Sequence, residues 1–288
     1  MDTRISKAQP NDVTCSNVVL GGVSYKATSI VDSAPNKGQD ALYIKDEFCG
    51  VADGATPLFG EPGSMVVDFA NAALQSLYNH RHLSMENAFR QSISKLARRQ
   101  RSSITCSIAV LAECPGKVSL SAVALGDCAV IAELPNGSIS TTTDHRLSEL
   151  DSGVINLIAK RMKDGATFED AFASVHDVLQ TNRRSCNSPN GYWTFGNDPA
   201  AADHLQQAFF PEGVSAALIC SDGFMRLLDT FQVTASEEDL LQMAKRHGLN
   251  HLLSTLRDLE RREGSMNQFP RLGMSDDATA ILLTRNHI

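Results

Sequence analysis

Long hydrophobic runs are missing from this chain. Val214–Cys220 is among its longest apolar stretches, far short of the roughly eighteen residues that a membrane span requires. The opening Met-Asp-Thr-Arg-Ile-Ser-Lys-Ala-Gln-Pro lacks the apolar segment of a signal peptide, so export is not expected. Positive charge is scarce as well. The 26 Lys and Arg residues stand against 33 Asp and Glu, a net charge of −7, which is the wrong sign for coating nucleic acid or an anionic membrane. Basic and aromatic residues are not interleaved anywhere, so neither partner is expected. The 7 cysteines include no Cys-x-x-Cys pair, and zinc-ribbon and thioredoxin motifs fail on spacing. Cys106, Cys128 and Cys220 sit in apolar, strand-like runs, where a thiol serves as a small hydrophobe. A reduced, cytoplasmic protein is the expectation.

Repeats, low-complexity tracts and long linkers are also lacking. With 288 residues and 42% hydrophobic content, the chain can bury a core without disulfide or metal staples. A single domain over residues 1–288 is expected. Short strands are predicted at Asn17–Tyr25, Ala41–Lys45 and Glu47–Ala52, punctuated by Gly21-Gly22 and Pro35-Asn36-Lys37-Gly38. Val66, Phe69, Ala70, Ala73, Leu74 and Leu77 then keep one helical face apolar, with Ser64 as the expected N-cap. Met85, Phe89, Ile93 and Leu96 repeat the pattern behind Ser84.

Strands follow at Ile104–Leu111, Lys117–Leu125, Cys128–Leu134 and Ser138–Thr142, the last pair joined by a Pro135-Asn136-Gly137 turn. Two helices are expected between residues 147 and 183, the second opening at Thr167. Residues 184–213, rich in Asn, Pro and Gly, read as a long ordered loop of the functional kind. A strand at Ser215–Cys220, helices near 236–247 and 250–262, and a strand at Ala278–Thr284 complete the chain. Many strand connections are too short for parallel crossovers, which predicts mainly antiparallel sheets with helices outside.

The chemistry is carried by acids at strand ends. They are Asp40, Asp53, Asp127, Asp222 and the pair Asp276-Asp277, each beside a turn residue or another acid. One Asp-Gly alone is a turn signal. Carboxylates converging from distant segments need a counter-charge, and hard divalent cations with oxygen ligands provide it. No His or Cys stands at these positions, which argues against zinc.

The succession Gly38-Gln39-Asp40, Phe48-Cys49-Gly50-Val51-Ala52-Asp53-Gly54, Ala124-Leu125-Gly126-Asp127, Thr143-Asp144-His145, Cys220-Ser221-Asp222-Gly223 and Ser275-Asp276-Asp277-Ala278-Thr279 resembles the PPM-type (type 2C) metal-dependent serine/threonine protein phosphatases. The likeness spans about residues 15–284 and suggests a compact bacterial type.

The resemblance implies an α+β fold, a four-layer α-β-β-α sandwich of two mostly antiparallel sheets flanked by helices. It implies two Mn²⁺ or Mg²⁺ ions, a water activated between them, and a phosphorylated protein substrate made by a Ser/Thr kinase. Asp53 matches the bridging ligand and Gly54 the carbonyl ligand beside it. Asp222 and Asp276 match direct ligands, and Asp40 the early acid that holds water, so Asp53 and Asp40 are the catalytic candidates. Residues 184–213 lie where the family keeps its variable flap. The chain departs from the pattern in three places. Pro35 stands where an arginine is frequent, leaving Lys37 as the substrate-phosphate candidate, without the bidentate fork. Ala55 replaces the histidine of eukaryotic-type members. Arg101-Ser102-Ser103 occupies the stretch expected to supply an Asp for a third ion, so that site is expected to be empty. A catalytically silent binding module and a small-metabolite phosphatase are the alternatives.

Overall fold

The computed structural model describes residues 13–35, 37–58, 62–98 and 104–286. Its first half runs β1 (Thr14–Leu20), β2 (Val23–Asp32), β3 (Ala41–Lys45), β4 (Phe48–Gly54), α1 (Gly63–Asn79), α2 (Met85–Ala97), β5 (Cys106–Glu113), β6 (Leu120–Leu125), β7 (Ala129–Glu133) and β8 (Ile139–Thr142). Three helices follow: α3 (Arg146–Lys163), α4 (Phe168–Ala173) and α5 (His176–Arg184). A 3₁₀ turn at Pro199–His204 then leads into β9 (Gln206–Phe210) and β10 (Ala216–Cys220). The chain closes with α6 (Asp222–Asp229), α7 (Glu237–His247), α8 (Leu249–Arg261), α9 (Ser265–Gln268) and β11 (Ala278–Arg285).

The strands form a six-stranded sheet, β1-β2-β11-β10-β7-β8, and a five-stranded sheet, β3-β4-β5-β6-β9. Every pairing in both is antiparallel. Period-two alternation sorts the side chains into layers. In β4, Cys49 and Val51 enter the core between the sheets, while Phe48 and Ala52 face α1 and α2. In β10, Ala217 and Ile219 point between the sheets, and Leu218 and Cys220 pack under α6, α7 and α8. Apart from Asp53 near the end of β4, these strands carry no charged or polar side chain because both of their faces are covered. The four-layer α-β-β-α sandwich expected from the sequence is the observed architecture.

Several local expectations are revised. The strand expected at Asn17–Tyr25 folds back at Gly21 and Gly22, whose φ angles of +59° and +73° make a tight hairpin that L-residues resist. Helix α1 starts at Gly63 behind Pro62, with no side-chain cap, so Ser64 lies inside the helix. Ser84 does cap α2, accepting from Asn87 N–H at 3.4 Å. The helix expected from Thr167 breaks between α4 and α5, where Ser174 Oγ donates back to the Ala171 carbonyl at 2.7 Å and competes with the next turn. The loop expected at 184–213 holds the 3₁₀ turn and edge strand β9, whose Gln206 and Gln207 are exposed and carry no apolar signal. Asp222-Gly223, read as a turn, instead begins α6. The stretch Arg101-Ser102-Ser103 lies outside the described residues.

Candidate functional site

Antiparallel pairing brings the acid-bearing strand ends to one end of the sandwich. Asp40 immediately precedes β3, and Asp53 is the next-to-last residue of β4; the register pairs Ala41 with Ala52. Asp53 lies opposite Ser107, and Ser107 Oγ donates to Asp127 Oδ1 at 2.6 Å. In the other sheet Cys220 pairs with both Ala280 and Ala129, which places Asp222, the residues before β11 and Asp127 at the same end. Gly54 ends β4 opposite Cys106, and its backbone is hemmed in by Gln39 and Val66.

Gly223 has a different reason to be glycine. A Cβ there would lie 1.9 Å from the Asp277 carbonyl oxygen, so only a bare backbone lets the start of α6 meet the segment before β11. This contact sets Asp222 beside Asp276 and Asp277.

The electrostatics divide the acids into two groups. Asp40 is buried, and neither carboxylate oxygen has a hydrogen-bond partner. Burial and then the Asp277 charge push its carboxyl well above the usual range, softened by the Thr279 and Ser221 hydroxyls. Asp53 is also pushed well up, by burial and by Asp40, Asp222 and Asp276. Burial, with Asp222 adding to it, raises Asp127 to about 8. Asp151 of α3 goes up to about 7 by the same two causes. These acids share a region that disfavours negative charge.

Asp276 behaves in the opposite sense. Lys37 Nζ donates to its Oδ1, and Arg226 Nη2 donates to its Oδ2 at 2.5 Å. Burial opposes its charge, but Arg226 and Lys37 outweigh it and hold the carboxyl below the usual range. Arg226, four residues after Asp222 on α6, is held in turn by Glu260 Oε1 at 3.4 Å. Glu260 Oε2 takes Arg257 Nη1 at 2.5 Å, and Arg257 Nε reaches Asp32 Oδ2 at 2.5 Å. Buried Asp277 accepts the backbone N–H groups of Ala34 at 2.7 Å, Gly38 at 2.8 Å and Gln39 at 2.6 Å, which anchors the segment carrying Lys37 and Asp40.

The structure places Asp40, Asp53, Gly54, Asp222, Asp276 and Lys37 at the same end of the sandwich. It adds Asp151, Arg226 and Asp277. Arg226 and Asp151 lie within helices, the latter despite the Ser152-Gly153 step beside it, and Asp277 was legible only as a neighbour of Asp276.

The donor set fits a hard divalent cation, being all oxygen, with the orphaned Asp40 carboxylate as the buried group that needs a counter-charge. The acids are neighbours, not a finished shell: among the described residues no three His, Cys, Asp or Glu side chains are arranged to hold one ion together. The segment of residues 184–213 and the end of α5 pack beside the ends of β4 and β5. Trp193 is buried and stacked on His204 at 3.8 Å, Phe195 exchanges backbone hydrogen bonds with Cys106 at 3.0 and 2.9 Å, and Arg183 Nη1 donates to the Thr56 carbonyl at 3.1 Å.

The raised acids make a stability prediction. A carboxyl raised in the fold stabilises it below its unfolded value, near 4, and that stability is lost as pH rises through the folded value. With Asp151 at about 7 and Asp127 at about 8, chelator-treated protein is expected to melt a few degrees higher at pH 6 than at pH 8. Asp127→Asn should shrink that gap and raise the melting temperature at pH 8. Scanning calorimetry in chelator checks both, and a higher melting point at pH 8 than at pH 6 would refute the assignment.

No protein-family model matches this chain, and no curated protein matches it in sequence. Solved structures do match its fold. The serine/threonine phosphatase Stp1 from Staphylococcus aureus is 14% identical with a TM-score of 0.53, covering 91% of this chain and 95% of its own. The Mycobacterium tuberculosis serine/threonine phosphatase PstP/Ppp is also 14% identical at 0.53, covering 91% and 99%. RsbX, solved in complex with magnesium, is 13% identical at 0.50, covering 96% and 100%. The chain has the fold of the bacterial PPM-type Ser/Thr phosphatases.

Proposed function

We propose that this chain, built on the PPM phosphatase fold, is a metal-dependent phosphoserine/phosphothreonine protein phosphatase. The observation that carries the reading is the buried, unpartnered Asp40 carboxylate beside Asp53 at the acid-rich end of the sandwich. A structural role alone does not account for repelling carboxylates in one low-dielectric place. RsbX, of the same fold, was solved with magnesium, which supports the cation assignment.

Asp53, the Gly54 carbonyl, Asp40, Asp222 and Asp276 are the residues we assign to hold two Mn²⁺ or Mg²⁺ ions. Bound there, such ions supply an acidified water and neutralise charge on a phosphoryl group. Asp40 and Asp53 would accept hydrogen bonds from a water held in the site, and the close approach at Gly223 keeps Asp222 beside the segment before β11. Lys37 offers a point charge to the substrate phosphate. With Ala55 after Asp53-Gly54, no histidine stands at that position to protonate the leaving oxygen, so water or another group must supply that proton. The substrate we assign is a protein phosphorylated by a Ser/Thr kinase, met in the cytoplasm. Among the described residues no helix is long and apolar enough to cross a membrane.

A silent binding module remains the competing reading on one observation, the engagement of Asp276 by two cationic side chains. Hydrolysis of phosphothreonine peptides and of an aryl phosphate, with and without Mn²⁺, separates the two. Turnover is expected with added Mn²⁺ or Mg²⁺ and should vanish in chelator. Full activity in protein shown to be metal-free ends the proposal, and peptide binding without turnover favours the module.

A further inference from the structure

We infer that Lys37 is a built-in counter-cation for Asp276, so that a divalent ion reaches this carboxylate only by displacing the lysine ammonium. The inference rests on the cation reading above and sharpens it by making the two ion positions unequal.

Asp276 is the one proposed ligand whose two oxygens both have cationic partners, Lys37 on Oδ1 and Arg226 on Oδ2. Arg226 is not free to leave. It is buried and tied to Glu260, which a second arginine, Arg257, also grips. Lys37 is the partner that can move, its side chain being 25% exposed. Its backbone, however, is delivered to this spot by design of the local chain. Lys37 N–H closes a turn onto the Ala34 carbonyl at 3.0 Å. Asp277 pins that turn from both sides through Ala34, Gly38 and Gln39. An ordinary surface lysine spreads over many rotamers, whereas this one starts from an anchored backbone beside its acid.

Asp40 offers the contrast. Among the described residues it has no cationic partner and makes no close hydrogen bond, with only the Thr279 and Ser221 hydroxyls acting on it, and Asp53 is surrounded by acids. An incoming dication therefore meets acids crowded by other acids at Asp40 and Asp53, and an already neutralised carboxylate flanked by two cations at Asp276. Repulsion from a fixed guanidinium and a nearby ammonium weakens the second position. An ion that wins there releases the ammonium, which then becomes available to a phosphate.

The test is Mn²⁺ binding to the full chain by isothermal titration calorimetry, with the bound ions counted by equilibrium dialysis. Wild type is compared with Lys37→Met, which keeps the length without the charge, and Lys37→Arg, which keeps the charge. Wild type is expected to bind one ion tightly and a second more weakly. Lys37→Met should tighten the weak step by about tenfold or more and leave the tight step unchanged, while Lys37→Arg should follow wild type. Far-ultraviolet circular dichroism in chelator verifies that each variant is folded, and Lys37→Gln takes the place of Lys37→Met should the latter misfold. Identical isotherms for wild type and the neutral variant overturn the counter-cation role alone, as does weaker binding by the neutral variant. Absence of Mn²⁺ binding by all folded variants overturns the cation reading, and this inference with it.

Discussion

Asp53→Asn is expected to abolish Mn²⁺-dependent hydrolysis of a phosphothreonine peptide, by on the order of a thousandfold or more, without weakening the fold. The two halves of that result have one cause. Asp53 lies at the end of β4 with Asp40, Asp222 and Asp276 acting on it. An amide keeps the shape and one oxygen but removes the charge that would hold a pair of cations. The same change relieves repulsion in the metal-free protein, so thermal stability in chelator should hold or rise. Lys37→Ala is expected to lose much less activity, because it removes one flexible point charge and leaves the proposed ligand carboxylates intact. Steady-state kinetics of both variants beside their melting curves make the comparison. Equal activity losses would mean that the assignment of roles to Asp53 and Lys37 is wrong. A collapse of the fold in Asp53→Asn would make Asp53 structural.

Asp277→Ala should destabilise the protein by about 3–5 kcal/mol, the scale for breaking a buried, fully hydrogen-bonded charge. Asp277 is only 4% exposed, and its carboxylate accepts from three backbone donors, those of Ala34, Gly38 and Gln39. Truncation strands those donors away from water, and hydrogen bonds to a charged group are the stronger kind. There is an opposing effect, since the Asp277 charge also raises Asp40. That is one through-space repulsion against three direct bonds, so the loss prevails. Asp277→Asn, with one acceptor oxygen left, should fall between alanine and wild type. Urea denaturation in chelator measures the series. A loss under about 1 kcal/mol for the alanine variant would show that the segment of residues 34–39 is held by something else.

Sequence pattern alone was enough for whatever repeats at a fixed period or sits beside a turn. The apolar face of α1, the Ser84 cap and the alternating strands follow from local rules, because burial of one face imposes its periodicity on the chain. Asp40, Asp53, Asp222 and Asp276 were legible because each stands where an apolar run meets a turn residue or a second acid, and their succession resembles one family. What the chain could not show locally is which charges neutralise one another. Arg226 and Lys37 lie 189 positions apart, and only the packing of α6 and of the Asp277-pinned turn against the segment before β11 brings them to the two oxygens of Asp276. Gly223 looked like a turn residue and is a contact point, since the space it leaves is filled by a carbonyl 54 positions further on. Asp151 carries no signal on an exposed-looking helix until α3 places it near Asp222. Charge acts through space and falls off with distance, not with separation along the chain, so the balance of this site was decided by the tertiary structure.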